Sequence, residues 1–131
     1  MEILLDTSFI ISCVRQKIDF ITVVNELFDQ KIDFLLPREV LSEIKTISVR
    51  SGEKRVDKQA ARVALDLIDI SEFKLIKLND KVVDRGITNY LLNNPKIMLA
   101  TLDRGLIARS GGEALTIKGN KSIEVLSQKA L

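Results

Sequence analysis

The stretch Ile97–Leu106, "IMLATLDRGL", decides the fold. It opens as a short apolar run, passes through a threonine and an aspartate, and continues into what reads as the first turn of a helix. An apolar run without alternating polar positions suits a strand covered on both faces, the situation of a parallel sheet flanked by helices. In such a sheet, ligands gather beyond the carboxyl ends of the strands, where neighbouring connections diverge. The pattern therefore predicts that a strand delivers Thr101 and Asp103 to the rim of a sheet.

Working outward, the same pattern recurs along the chain. "EILLD" (Glu2–Asp6), "DFLLP" (Asp33–Pro37), "KLIKL" (Lys74–Leu78), "KIMLAT" (Lys96–Thr101) and "ALTIK" (Ala114–Lys118) are five candidate strands. Between them, Ser8–Arg15 with Ile18–Asp29, Arg38–Val49, Asp57–Ser71, Asp80–Asn93 and Leu102–Ser110 carry helical periodicity. Pro37 can open a helix because its missing N–H is not needed there, while "NNP" at 93–95 and "SGG" at 110–112 close others. Alternation of this kind predicts an α/β fold, a mainly parallel five-stranded sheet with helices on both sides. With 131 residues, 46% of them apolar, the chain can bury one sizeable core, and it is read as a single domain over residues 1–131.

Composition removes several chemistries. There is no histidine, so Ser-His and Cys-His nucleophile pairs, imidazole bases and histidine zinc sites are excluded. The single cysteine, Cys13, lies in "FIISCV" and reads as a packed small thiol. No apolar run approaches the length of a membrane span and no export-type leader is evident, so a cytoplasmic protein without membrane partners is expected. The net charge of +2 diagnoses no polyanion partner, but six basic residues between Lys45 and Arg62 stand against only Glu53 and Asp57. That excess either meets phosphates or merely keeps a helix face wet.

The acids carry the functional reading. Asp6 ends the first strand, in "LLDTS", and Asp103 follows the fourth. Each could simply cap the helix behind it. Glu43 lies at the edge of the apolar stripe Val40, Leu41, Ile44 and Ile47, and Asp84 flanks the stripe Val83, Ile87, Tyr90 and Leu91, so both are expected to be half-shielded from water. Shielded carboxylates meet a cation or shift toward the neutral form. A hard divalent ion, Mg²⁺ or Mn²⁺, would neutralise all four together; alternatively Glu43 pairs with Lys45 or Arg38, and Asp84 with Arg85 or Arg104.

The segments "LLDTS" (Leu4–Ser8), "LPREVLSEI" (Leu36–Ile44), "VVDRGI" (Val82–Ile87) and "LATLDRGL" (Leu99–Leu106), in this order, resemble the PIN domain, the fold of many metal-dependent ribonucleases, VapC-type toxins and ribosomal-RNA-processing nucleases among them. The resemblance implies a three-layer α/β/α sandwich. It implies that Asp6, Glu43, Asp84 and Asp103 are catalytic acids binding Mg²⁺ or Mn²⁺, with Ser8 and Thr101 as supporting hydroxyls, and that RNA phosphodiesters are hydrolysed. Relatives of the ribosome-biogenesis branch carry two adjacent aspartates where this chain has Asp84 and Arg85, and asparagine is common where it has Ser8. An antitoxin, a ribosome-associated protein or a second copy are the partners implied besides RNA; for the last, Ile18, Phe20, Ile21 and Val24 are a candidate contact unless they bury within the monomer. Charge placement marks Lys54, Arg55, Lys58, Arg85 and Arg104 as candidate RNA-backbone contacts.

Two other functions compete. A PIN fold could bind RNA or protein without cutting. A receiver-type signalling domain would explain Thr101 and Lys118, but it needs an acid pair after the first strand, where Asp6 is followed by Thr7, and a phospho-accepting aspartate ending the third, where only Asp80 stands.

Overall fold

The computed structural model describes residues 1–119 and 121–127. In chain order the elements are β1 (Glu2–Leu5), α1 (Thr7–Arg15), α2 (Phe20–Leu27), β2 (Asp33–Pro37), α3 (Arg38–Val49), α4 (Arg55–Ile70), β3 (Lys74–Ile76), α5 (Val83–Asn93), β4 (Met98–Ala100), α6 (Arg104–Ser110), β5 (Ala114–Lys118) and β6 (Ser122–Leu126). The strands form one sheet in the order β3-β2-β1-β4-β5-β6. Five of them run parallel, with Ile3 of β1 opposite Phe34 of β2 on one side and Met98 of β4 on the other.

The mainly parallel α/β sandwich is as expected, but among the described residues the sheet has six strands rather than five. β6 pairs antiparallel with β5, Leu115 opposite Val125 and Ile117 opposite Ile123. Its sequence, "SIEVL", alternates polar and apolar as an edge strand covered on one face does: Ile123 is buried between the exposed Ser122 and the half-buried Glu124. A search for continuous apolar runs passes over such a strand.

The strand order places the site. From β1 the chain steps outward through β2 to β3, then returns to the far side of β1 to lay down β4 and β5. Right-handed crossovers therefore put the two sets of helices on opposite faces. Accordingly, α1, α3 and α4 pack against one another, and α5 packs against α6. The connections diverge between the carboxyl ends of β1 and β4, which is where a crevice opens.

The core explains why these runs are strands. Ile3, Leu4, Leu5, Leu36, Leu99 and Ala100 are essentially inaccessible, as a parallel sheet covered on both faces requires. Beside them Phe20 of α2 meets Phe9 of α1 and Phe34 of β2 edge-on, at centroid separations of 5.6 and 5.7 Å. Each fully buried ring or branched aliphatic contributes on the order of 1.5–3 kcal/mol. Phe20 and Val24 are thus committed to this core, with Ile18 and Ile21 partly buried against it, so this group packs within the monomer. Cys13 is a buried free thiol whose pKa burial pushes up to about 12.

Local chemistry sets the boundaries. α3 begins at Arg38, directly after Pro37. α5 begins at Val83, later than its periodicity suggests, because the Asp80 side chain accepts the Val82 N–H at 2.9 Å and holds the preceding residues in a turn. Among the described residues no helix is long and apolar enough to cross a membrane.

Candidate active site

Asp6 stands where β1 gives way to α1, and its backbone N–H still belongs to the sheet, donating to the Ala100 carbonyl at 3.0 Å. The two carboxylate oxygens have separate duties. Oδ1 caps α1 by accepting the Thr7 N–H at 2.9 Å. Oδ2 accepts the Thr101 hydroxyl at 2.6 Å and lies 3.2 Å from Ser8 Oγ. Ser8 Oγ and Thr101 Oγ1 are 3.1 Å apart, and they accept the N–H groups of Leu102 and Asp103, each at 3.1 Å. The two supporting hydroxyls therefore tie the end of β1 to the end of β4 around one carboxylate.

Asp6 is buried, and burial raises its pKa above the ordinary carboxylate value. The hydrogen bonds from Thr101, Thr7 and Ser8 oppose that rise, and the charge of Asp84 adds to it. Asp6 thus senses a second acid from a different element across the crevice.

Asp103 caps α6, its Oδ1 accepting the Leu106 N–H at 3.0 Å. Capping and membership of a site are compatible, because a carboxylate has two oxygens and the cap occupies one. Glu43 comes from α3 and Asp84 from the first turn of α5. All four acids line one cavity of about 490 Å³, together with Thr7, Ser8 and Leu102. Thr101 is fully buried behind Asp6.

The expectation that Glu43 and Asp84 are half-shielded is corrected: both are exposed, as is Asp103. The flank of each helix opens onto the crevice instead of the core. The alternative ion pairs are not formed either. Among the described residues neither Glu43 nor Asp84 has a basic partner, and Arg85 instead grips Asp80, Nε to Oδ2 at 2.7 Å and Nη2 to Oδ1 at 2.8 Å.

Whether the cavity suits a hard metal ion is partly answered by its donors. Its oxygen donors are carboxylates and hydroxyls, and the buried Thr7 Oγ1 is a side-chain oxygen without a partner among the described residues. That chemistry fits Mg²⁺ or Mn²⁺. Among the described residues, however, no group of three or more Asp, Glu or Cys side chains is gathered tightly enough to hold an ion as it stands.

Of the expected RNA contacts, none of Lys54, Arg55, Lys58, Arg85 or Arg104 lines this cavity. Lys54 and Arg55 are exposed at the start of α4, and Arg104 is exposed beside Asp103. The lining instead includes Arg15, Glu53 and Asp57, which sequence reasoning passed over. Asp57 was visible only as a neutralising charge inside a basic segment. What brings it to Arg15 is the packing of α4 against α1, made close by Ala60, Ala61 and Ala64.

A mainly parallel sheet with carboxylates after β1 and β4 and on α3 and α5 around one crevice defines a class of α/β proteins with an acid-lined switch point. The chain belongs to the PIN like domain family, which matches residues 3–117. It is similar to Ribonuclease VapC4 of Methanocaldococcus jannaschii, 26% identical over 105 residues that cover 80% of this chain and 79% of that protein. Its fold is similar to that of the PIN domain endonuclease Utp24, with a TM-score of 0.78, 21% identity, and coverage of 96% of this chain and 91% of the other.

Proposed function

We propose that this chain is a ribonuclease that hydrolyses RNA phosphodiester bonds with the help of Mg²⁺ or Mn²⁺. The observation that carries the reading is that Asp6, Glu43, Asp84 and Asp103, distant in sequence, line a single cavity at the switch point of the sheet. Membership of the PIN like family and similarity to a ribonuclease support it.

When bound, the ion would supply an activated water and neutralise charge on the phosphodiester. The chain's own residues divide the remaining work. Asp6 is the fixed ligand, its orientation set by Thr7, Ser8 and Thr101. Glu43 and Asp84 present carboxylates without a basic partner among the described residues, and Asp103 keeps the oxygen that the cap leaves over. An ion would relieve the repulsion that Asp6 feels from Asp84. We assign the exposed cations Lys54, Arg55 and Arg104 and the half-buried Lys58 to the RNA backbone outside the cavity, with Arg85 available only on release from Asp80. The protein would act in the cytoplasm, as a toxin held by an antitoxin or as a processing factor.

The test incubates structured and single-stranded RNA with the protein in Mg²⁺, Mn²⁺ or EDTA, beside Asp6→Asn and Asp103→Asn. Cleavage is expected only with metal, falling on the order of 10²- to 10³-fold in each variant. Equal cleavage by wild type and both variants would expose a contaminant. RNA binding without any metal-dependent cleavage would make the protein a binding module.

A further inference from the structure

Six of the residues lining the cavity are acids: Asp6, Glu43, Glu53, Asp57, Asp84 and Asp103. Among the described lining residues Arg15 is the one base. A polyanion entering such a place is repelled everywhere except at a metal ion and at Arg15. We propose that Arg15 binds a backbone phosphate of the RNA further along the strand from the one being cut, and that Asp57 holds the guanidinium in place until RNA displaces it. This rests on the ribonuclease reading of the cavity.

The geometry fits an exchangeable partner. Arg15 Nη1 meets Asp57 Oδ1 at 3.2 Å, with the arginine side chain about half exposed at 51% and the aspartate at 25%. This single contact leaves most of the five guanidinium N–H donors free. Exposed pairs of this kind stabilise a fold little, whereas a guanidinium can grip a phosphate through two parallel hydrogen bonds. Exchange of Asp57 for phosphate is therefore favourable.

Position says which phosphate. Asp6 caps the N-terminus of α1 and Arg15 ends it, so the helix separates them by roughly 13 Å at 1.5 Å per residue. Arg15 is too far along to touch the reacting group and meets the strand further on. It is a binding residue, whose loss should appear in KM and affinity rather than kcat. Asp57 competes with RNA for it, which gives the two residues opposite signs.

The experiment measures cleavage in Mn²⁺ and, in Ca²⁺, the anisotropy of a short fluorescent poly(U) RNA over a series of salt concentrations. It compares wild type with Arg15→Ala, Arg15→Lys and Asp57→Asn. Expected for Arg15→Ala are about tenfold weaker binding, a salt slope shallower by about 0.7 and a higher KM at unchanged kcat. Arg15→Lys should recover part of the affinity, and Asp57→Asn should tighten binding. A merely structural tether between α1 and α4 would make Arg15→Ala and Asp57→Asn fail alike, and that result overturns the proposal. So does wild-type affinity and slope in a folded Arg15→Ala. Absence of cleavage by wild type removes the ribonuclease reading, while the binding series still decides Arg15; a wild type that neither binds nor cuts RNA overturns both.

Discussion

Two aspartates, Asp6 in the crevice and Asp80 in the turn before α5, are pushed in opposite directions. Asp6 is raised by burial, so its contribution to stability is full below the ordinary value of 3.8 and lost as pH rises through its folded pKa. A charged Asp6 works against the fold. Asp80 is half-buried, and its hydrogen bonds from Arg85, with that of the Val82 N–H, lower it to about 2. Its contribution is present above 3.8 and lost as pH falls through about 2. A carboxyl ¹³C titration should therefore find Asp80 near 2 in the wild type and shifted upward in Arg85→Ala, where the Val82 N–H still holds it down. An Asp80 midpoint near 3.8 in the unaltered protein would mean that Arg85 is free after all, and would return it to the set of open RNA contacts.

At the scale of elements, the same loop sets how α5 is seated. A Cβ added at Gly86 would lie 2.9 Å from Leu78 Cβ and 3.1 Å from Asp80 Cβ, neither of which can swing away as a long side chain could. Overpacking costs roughly 1–3 kcal/mol, and alanine's better helix propensity returns about 1 kcal/mol. Gly86→Ala should thus lose up to about 2 kcal/mol in urea unfolding, and a higher midpoint would show that α5 does not press on that loop. This close approach was invisible in the sequence, where Gly86 is one residue in a helical pattern. Other elements were plain: α3 from Arg38 to Val49 follows from Pro37 and its stripe, and β1, β2 and β4 from apolar runs buried on both faces. β6 was hidden because an edge strand alternates. Asp6 and Asp103 were legible as acids after strands, and Glu43 and Asp84 as acids on helix flanks. Their exposure was not, since whether a flank faces core or crevice depends on where the neighbouring helix stops. Arg15 and Asp57 escaped notice for a related reason, because two residues on different helices meet only through tertiary packing.

For the whole molecule, the sheet's topology does what no single element can. Because the chain lays down β1, β2 and β3 in one direction and β4 and β5 in the other, the ends of β1 and β4 are neighbours without helices covering the gap between them. Four carboxylates are held around that gap by elements anchored in one core, and only in the folded state. A divalent ion that binds them binds the native protein and not the unfolded chain, so it must raise stability by mass action, by about 2.7 kcal/mol at a hundredfold excess over Kd. For a chain of this size that is several degrees in Tm. Calorimetric scans with increasing Mn²⁺ should show this rise in the wild type, a smaller one in Asp84→Asn and Asp103→Asn, and none with Ca²⁺-free EDTA buffer. Asp84→Asn also removes the charge that opposes Asp6, so its Tm without metal should equal or exceed that of the wild type while its response to Mn²⁺ shrinks. A Tm that ignores Mn²⁺ in every protein would show that the acids line one cavity without acting as one ligand set.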